Sequence, residues 1–220
     1  MADFRPFPQM EDLEEVYESE ELFPIFANRL LSKSRPEYEA YLKWGGFDPD
    51  NPPAPISILG VTEGRRQTDS IEMFPCPVPD SSFNYVNRFF LHGLGRLPVA
   101  AQERVNHLKS GEELYLMFDF HNPIDPQAVA LRTVENDRFM IGYVPRYLAR
   151  DVWDIVWECC RDVKILVERV NKDAPLQQRL LCRMNSCWPE KFRPCDDKAF
   201  RPIPANVPVR CDEVFGDEPP

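Results

Sequence analysis

The sequence lacks a long hydrophobic run, which excludes a conventional membrane-spanning helix. Such a helix needs about 18 or more mostly apolar residues, whereas the longest apolar stretch, residues 89–94, is interrupted by His92. The acidic N-terminus, residues 1–12, has no hydrophobic export segment. We therefore expect no membrane partner and a cytoplasmic protein, or a nuclear one in a eukaryote.

Motifs of common enzymes are also absent. The sequence has no Gly-x-Ser-x-Gly elbow, no P-loop and no His-Glu-x-x-His zinc motif. There are three histidines, and none has a nucleophile at motif spacing. We therefore predict a binding protein and no enzyme. The enzyme alternative is a metal-dependent hydrolase around His92 and His121, although ordinary hydrogen-bonded histidines are the simpler interpretation.

The seven cysteines form no recognisable metal motif. Structural zinc usually takes paired ligands at short spacing, whereas Cys182, Cys187 and Cys195 lack a Cys-x-x-Cys pair and a nearby histidine. The odd number of cysteines favours free thiols in a reducing compartment, with the adjacent Cys159 and Cys160 as packing residues. We expect no cofactor, and the alternative is a zinc ion bound by Cys182, Cys187 and Cys195.

Acidic residues are plentiful, and their distribution divides the chain. The net charge is −10, and residues 1–50 alone carry 12 acidic and 5 basic residues. A Pro-rich stretch at 48–55 separates this acidic, partly helical arm from a domain predicted at 56–188, and a Pro-rich strap follows at 189–220. The central region is nearly neutral, so a local basic face is compatible with the overall charge.

Hydrophobic periodicity predicts several short strands and a few helices. The helices are expected at residues 22–31, 34–44, 98–108 and 145–159. The strands are expected at residues 56–62, 68–74, 85–94, 113–120, 128–133, 139–144, 163–170 and 180–188. This pattern predicts a mainly β protein with helices (α+β), in which a small closed barrel follows an N-terminal helical extension.

Two ordered motifs stand out in the centre of the chain. An Asn-Pro-Ile-Asp-Pro loop at 122–126 is followed by a strand, a hairpin and an Ile-Gly-Tyr-Val-Pro-Arg segment at 141–146, where a helix starts. In this order and spacing the motifs resemble the HIRAN domain family, over roughly residues 89–188. The resemblance implies an OB-like β-barrel that binds single-stranded DNA, notably 3′ ends. It also implies that the protein acts in DNA repair together with a helicase or a nuclease.

The same resemblance assigns roles to individual residues. Asn122 and Asp125 match loop residues that reach the terminal nucleotide. Tyr143 and Arg146 match a polar ring and a basic residue at the junction of strand and helix. Arg96 matches the basic residue after the first barrel strand.

Physical chemistry favours a ligand site at these positions. Arg146 falls in the first turn of a predicted helix, where free backbone N–H groups also attract phosphate. Asp125 can accept the hydrogen of a 3′ hydroxyl. Tyr143 and Tyr147 offer ring faces, and stacking is worth about 1–3 kcal/mol per base.

Structural explanations remain open for the same residues. Asn122 could open a turn and Asp125 could cap its own loop, while Arg146 could pair with Asp125 or Asp151. Arg65 and Arg66 lie in a predicted turn and would extend a phosphate track towards Arg96, although turns are normally charged and solvated. A different functional alternative is a protein-interaction adaptor that uses the acidic arm.

Overall fold

The computed structural model describes residues 6–12, 17–159, 162–197 and 199–200. The strands are β1 (Asn84–Phe90), β2 (Glu113–Phe118), β3 (Val129–Arg132), β4 (Met140–Tyr143), β5 (Lys164–Val170) and β6 (Leu180–Cys187). The helices are α1 (Pro24–Ala27), α2 (Tyr38–Trp44), α3 (Pro55–Thr62), α4 (Val99–His107) and α5 (Arg146–Cys159). Two 3₁₀ turns, Leu94–Arg96 and Leu176–Gln178, complete the regular structure of the described residues.

The six strands form one antiparallel sheet in the order β1-β6-β5-β2-β3-β4. The sheet curls until its edges meet: just after β1, His92 pairs with Tyr143 of β4 through N–H to carbonyl bonds of 2.8 and 2.9 Å. This bridge joins the two edges at one point, so the sheet forms a curled half-barrel. The prediction of a mainly β, OB-like fold with helices is confirmed.

The core fills the inside of the curled sheet. Alternate residues of β1 point inward, so Tyr85 and Phe89 are fully buried. Helix α5 packs on the sheet through Leu148, Val152 and Ile155, which recur at the spacing of one helical face and join the same buried core cluster. The first residue of α5 is thereby held at the rim of the barrel.

Two of the strand predictions are wrong. Residues 55–62 form α3, and residues 68–74 form no strand. Pro55 suits the first turn of a helix because its φ is already helical and its missing N–H is not needed there. The β-branched residues favoured a strand, but the helix buries Ile58 and Val61, and tertiary packing outweighs such propensities. The other predicted strands are present, with ends that differ by up to four residues.

The N-terminal helices pack against the outer face of the sheet. Val61 of α3 forms a buried cluster with Phe90 and Leu181. Next to α2, Arg88 of β1 donates to the Gly45 carbonyl at 2.8 Å and to Glu168 of β5 at 2.9 Å. These contacts join residues 38–62 to the barrel. The boundaries at 50 and 188 stay predictions.

The cysteines correct a second expectation. Cys159 and Cys187 form a disulfide with Cα atoms 6.4 Å apart, so the expectation of free thiols throughout is wrong. The two residues are 28 positions apart, and they meet because α5 and β6 end side by side. Cys182 is buried as a free thiol in the core, so it does not converge with Cys187 and Cys195 on a metal.

Some predictions fall on residues that are not described. The described part of the chain does not include residues 13–16 of the acidic arm, Cys160, or residues 201–220 of the strap. Among the described residues, no helix has the length and apolar character needed to cross a bilayer.

Candidate nucleic-acid interface

Asp119 organises the loop that follows β2. Its Oδ2 accepts hydrogen bonds from the Asn122 side-chain amide at 3.0 Å and from the Tyr143 hydroxyl at 2.9 Å. These two donors hold the pKa of Asp119 below its usual range, with the Asn122 bond as the larger cause. The carboxylate therefore joins the loop after β2 to the end of β4. Sequence reasoning had not singled out Asp119.

The predicted ligand loop is internally hydrogen-bonded. Asn122 Oδ1 accepts from the backbone N–H groups of Ile124 and Asp125 at 3.0 and 3.1 Å, and Asp125 Oδ1 accepts from Gln127 N–H at 2.9 Å. Side chains that cap their own loop in this way rigidify it. The turn-forming explanation of Asn122 and Asp125 is confirmed. The same bonds preorganise the two side chains beside Tyr143 and Arg146.

Arg146 stands at the first position of α5 and faces the loop. Its Nε lies 3.6 Å from Asp125 Oδ2, a distance that makes an ion pair but not a good hydrogen bond. The Arg146 side chain is 63% exposed. Exposed pairs of this kind are worth only about 0–1 kcal/mol. An incoming phosphate can therefore compete for the guanidinium at little cost.

Tyr143 forms the wall between this loop and the end of β1. Gly93 has φ +80, and a Cβ at that position would lie 3.3 Å from the Tyr143 ring, so the glycine lets the backbone pass close beside the ring. Tyr143 is partly buried, and desolvation followed by the Asp119 contact raises its pKa. We call the group formed by the side chains of Asn122, Asp125, Tyr143 and Arg146 the notch.

Tyr147 does not line the notch, and the prediction that it stacks on a base is corrected. Its ring is 3% exposed and stacks on Phe74 with centroids 4.1 Å apart. Its hydroxyl donates to Oε1 of the buried Glu63 at 3.3 Å. Burial and the neighbouring carboxylate raise its pKa well above the ordinary value. Tyr147 is committed to the core because it lies on the buried face of α5, whereas Tyr143 ends β4.

Glu63 also holds one of the histidines. Both of its oxygens lie 2.9 Å from His92 Nε2, and the carboxylate is only 4% exposed. Glu63 ends α3 in the left-handed conformation, with φ +62. The interpretation of His92 as an ordinary hydrogen-bonded histidine is confirmed.

The other predicted cations have different surroundings. Arg65 lies 3.1 Å from Glu72 and 3.9 Å from Glu63, and Arg66 donates to the Asn28 carbonyl. Both are therefore engaged with carboxylates or carbonyls of the N-terminal region. Arg96 is exposed in the 3₁₀ turn that follows Gly93.

Sequence reasoning missed an aromatic surface beside the notch, formed by Phe118, Phe120, Trp153 and Trp157. Trp153 lies 4.4 Å from Phe118 and 5.3 Å from Phe120, measured between ring centroids. Phe120 is 68% exposed and Trp157 is 86% exposed. The signal was present in the sequence, because Trp153 and Trp157 stand one helical turn apart among the charged residues of α5.

The aromatic surface is continuous with the notch. Trp153 Nε1 donates to the Gln127 carbonyl at 2.9 Å, and Gln127 follows the loop residue Asp125. The nearest cations are balanced: Arg146 pairs with Asp125, and Arg150 pairs with Asp154 at 2.9 Å. With the Asp119 carboxylate included, this interface offers rings and hydrogen-bonding groups in a slightly acidic setting.

Comparison with protein-family models finds that residues 85–185 match the HIRAN domain. Residues 85–185 are a HIRAN domain. HIRAN domains are in general DNA-binding modules. The notch and the whole aromatic surface lie within these residues, whereas Arg65 and Arg66 precede them.

Two solved structures are similar to the chain. One is a protein from Lactobacillus plantarum, with 14% identity, 47% of this chain and 96% of the other covered, and a TM-score of 0.36. The other is the HIRAN domain of human HLTF, with 15% identity, 48% and 80% coverage, and a TM-score of 0.35. No curated protein matches the sequence.

Proposed function

We propose that this protein binds single-stranded DNA, and 3′ ends in particular, at the notch of its HIRAN domain. The observation that carries the proposal is the convergence of four polar side chains. Asn122 and Tyr143 share Asp119, while Asp125 faces the exposed Arg146 across 3.6 Å. A rigid loop and a helix start thereby present donors, an acceptor and a cation to one opening.

The phosphate would bind at the start of α5. This helix has 14 residues, so its first N–H groups and its dipole favour an anion. Arg146 would exchange its loose contact with Asp125 for charge-assisted hydrogen bonds to phosphate, which are shorter and stronger. Asp125, released from Arg146, would accept the hydrogen of the terminal 3′ hydroxyl.

The aromatic surface supports a preference for single strands. Bases in a duplex are stacked on each other and cannot also stack on a protein ring, whereas unpaired bases can. Phe120 is exposed directly before the notch loop, and Trp157 is exposed one turn beyond Trp153. A strand whose end lies in the notch would place its next bases over these rings.

A binding comparison tests the proposal. The protein is titrated into fluorescently labelled oligonucleotides that are single-stranded with a 3′ hydroxyl, single-stranded with a 3′ phosphate, or fully duplex. We expect the tightest binding for the 3′ hydroxyl strand and weakening with added salt. Equal affinity for all three DNAs would refute the end preference, and no binding at low salt would refute the function.

We also propose that the module works in DNA repair beside an enzyme such as a helicase or a nuclease, in the cytoplasm or nucleus. The HIRAN domain supports this, since a module that holds a DNA end is useful to an enzyme that processes it. Crosslinking in cells, followed by identification of the attached proteins, tests the partnership. Recovery of no DNA-processing enzyme would count against it.

A further inference from the structure

A large apolar cavity lies outside the DNA site and before the residues that match the HIRAN domain. Its volume is about 650 Å³, within the range of about 300–1,000 Å³ that is typical of ligand pockets. Helix α1 contributes Phe26, α3 contributes Ile56 and Val61, and the segment before β1 contributes Met73 and Phe74. The cavity can therefore hold several side chains of a bound segment.

The lining of this cavity is mostly apolar and reaches the surface. Among the described lining residues, only Ser57 and Glu72 have polar side chains. Ile56 is 52% exposed, whereas Ile58 on the same helix is buried in the core. An apolar pocket that opens to solvent and carries a few polar groups is the usual sign of a binding site.

The strap after β6 leads the chain to this cavity. Phe192 packs edge-on against Tyr85 of β1, with ring centroids 5.9 Å apart. Phe200, the last described residue, packs edge-on against Phe74, also with centroids 5.9 Å apart. Because Phe74 lines the cavity, the described part of the strap ends at the cavity wall.

The amino acids that follow Phe200 suit this cavity, and they lie outside the described part of the chain. Residues 201–210 read Arg-Pro-Ile-Pro-Ala-Asn-Val-Pro-Val-Arg, with two arginines and no acidic residue. Proline-rich segments lose little entropy on binding, and they bind in grooves lined by aromatic rings. An extended chain covers about 3.3–3.6 Å per residue, so Ile203 can reach about 10 Å beyond Phe200.

The charges of the cavity and the segment are also complementary. Glu72 is the one carboxylate among the described lining residues. It pairs with Arg65 at 3.1 Å, and the Arg65 side chain is 50% exposed. Because exposed pairs of this kind are weak, the Glu72 carboxylate can accept a second arginine such as Arg201.

We propose that residues 201–210 bind in this cavity of the same chain, with Ile203 as the apolar anchor. Only two residues separate Ile203 from the last described residue of the strap. Such a short link gives the segment a high effective concentration at the cavity, which favours it over a separate protein. The bound segment would hold Phe74 against Tyr147, on whose ring it stacks with centroids 4.1 Å apart. It would thereby join the strap to the N-terminal helices.

Photo-crosslinking tests the proposal on the full chain. The variant Ile203→p-benzoylphenylalanine is irradiated and digested, and the linked peptides are identified by mass spectrometry. We expect cross-links within one chain to α1, to α3 or to residues 71–75. Cross-links between two chains would assign the cavity to a second copy. That result, cross-links to other parts of the chain, or no cross-link at all would each overturn the proposal.

Two matched variants show whether the cross-link depends on the cavity. Gly60→Leu, added to the chain with the probe at Ile203, places a side chain in the cavity from α3. A Cβ at Gly60 would lie 3.6 Å from Pro75, an ordinary contact, and leucine favours a helix more than glycine does, so the variant should fold, which circular dichroism checks. The yield of the cross-link should fall about tenfold, because overfilling a site typically costs this much affinity.

The second variant is the control for the position of the probe. Val214→p-benzoylphenylalanine carries the same group beyond residues 201–210, and it should not label the cavity. An undiminished yield in Gly60→Leu, or equal labelling of the cavity from Val214, would overturn the proposal.

Discussion

Two tyrosines that stand four residues apart in the sequence each donate to a carboxylate, and the two pairs have opposite environments. Tyr143 donates to Asp119 at 2.9 Å at the surface, beside an exposed arginine. Tyr147 donates to Glu63 at 3.3 Å under α3, with its ring stacked on Phe74. The chemistry of the two pairs is the same. The difference is that Glu63 and Phe74 enclose Tyr147, whereas Tyr143 stays partly exposed. Under the proposed function only Tyr143 can meet a ligand.

The largest effect is expected from breaking the covered pair. Glu63→Ala leaves His92 and Tyr147 without their buried partner, and removing one member of a buried pair typically costs about 3 kcal/mol of unfolding free energy. Urea denaturation measures this loss. The control Glu39→Ala removes an exposed carboxylate that pairs with Lys43, and it should have almost no effect. Equal stability of both variants would mean that the covered pair is not structural.

The open pair should respond in binding and not in stability. Arg146→Ala removes a charge-assisted contact to phosphate and should weaken binding of single-stranded DNA by about 2 kcal/mol, roughly thirtyfold. Fluorescence anisotropy measures the affinity, and the salt dependence should also become shallower. Arg138→Ala removes another exposed arginine, from the hairpin between β3 and β4, and serves as the control. If the two variants lose affinity equally, general charge and not the notch carries the binding.

The aromatic surface beside the notch should also contribute to DNA binding. Trp157→Ala should weaken single-stranded DNA binding by about 1 kcal/mol, the lower end of what one stacked base contributes, with little change in stability because the ring is 86% exposed. Val99→Ala, at a 72% exposed position on α4, is the control. The affinity is measured for single-stranded DNAs of several lengths. If Trp157→Ala leaves the affinity for all of them unchanged, DNA contacts the notch and not the aromatic surface.

The smallest effect concerns pH. Because the pKa of Asp119 is lowered in the folded protein, its contribution to loop order is fully present above its ordinary pKa, near 4, and is lost as the pH falls through the lower folded value. We therefore expect the notch to keep its order from pH 8 to about pH 5. Protection of the Asn122 side-chain amide from hydrogen exchange, followed against pH, measures this. Loss of protection above pH 5 would show that Asp119 does not organise the loop.

Sequence reasoning singled out the side chains of the notch but not the covered pair. Asn122, Asp125, Tyr143 and Arg146 were predicted together because their two motifs resemble those of the HIRAN family, and the structure brings Asp125 to Arg146 across the intervening hairpin. Glu63 escaped prediction because it was read as part of a turn between two strands. It reaches His92 only because α3 is a helix, and local propensity had favoured a strand.

The sequence by itself determined the barrel strands, α5 and the loop with its hydrogen-bonding side chains, because these follow from local periodicity and turn chemistry. Only the tertiary structure decided which of two similar tyrosines stays partly exposed, which cysteines meet, and where the aromatic surface lies. The physical reason is that burial depends on residues distant in the chain. Phe74 and Glu63 enclose Tyr147, and β6 brings Cys187 to Cys159.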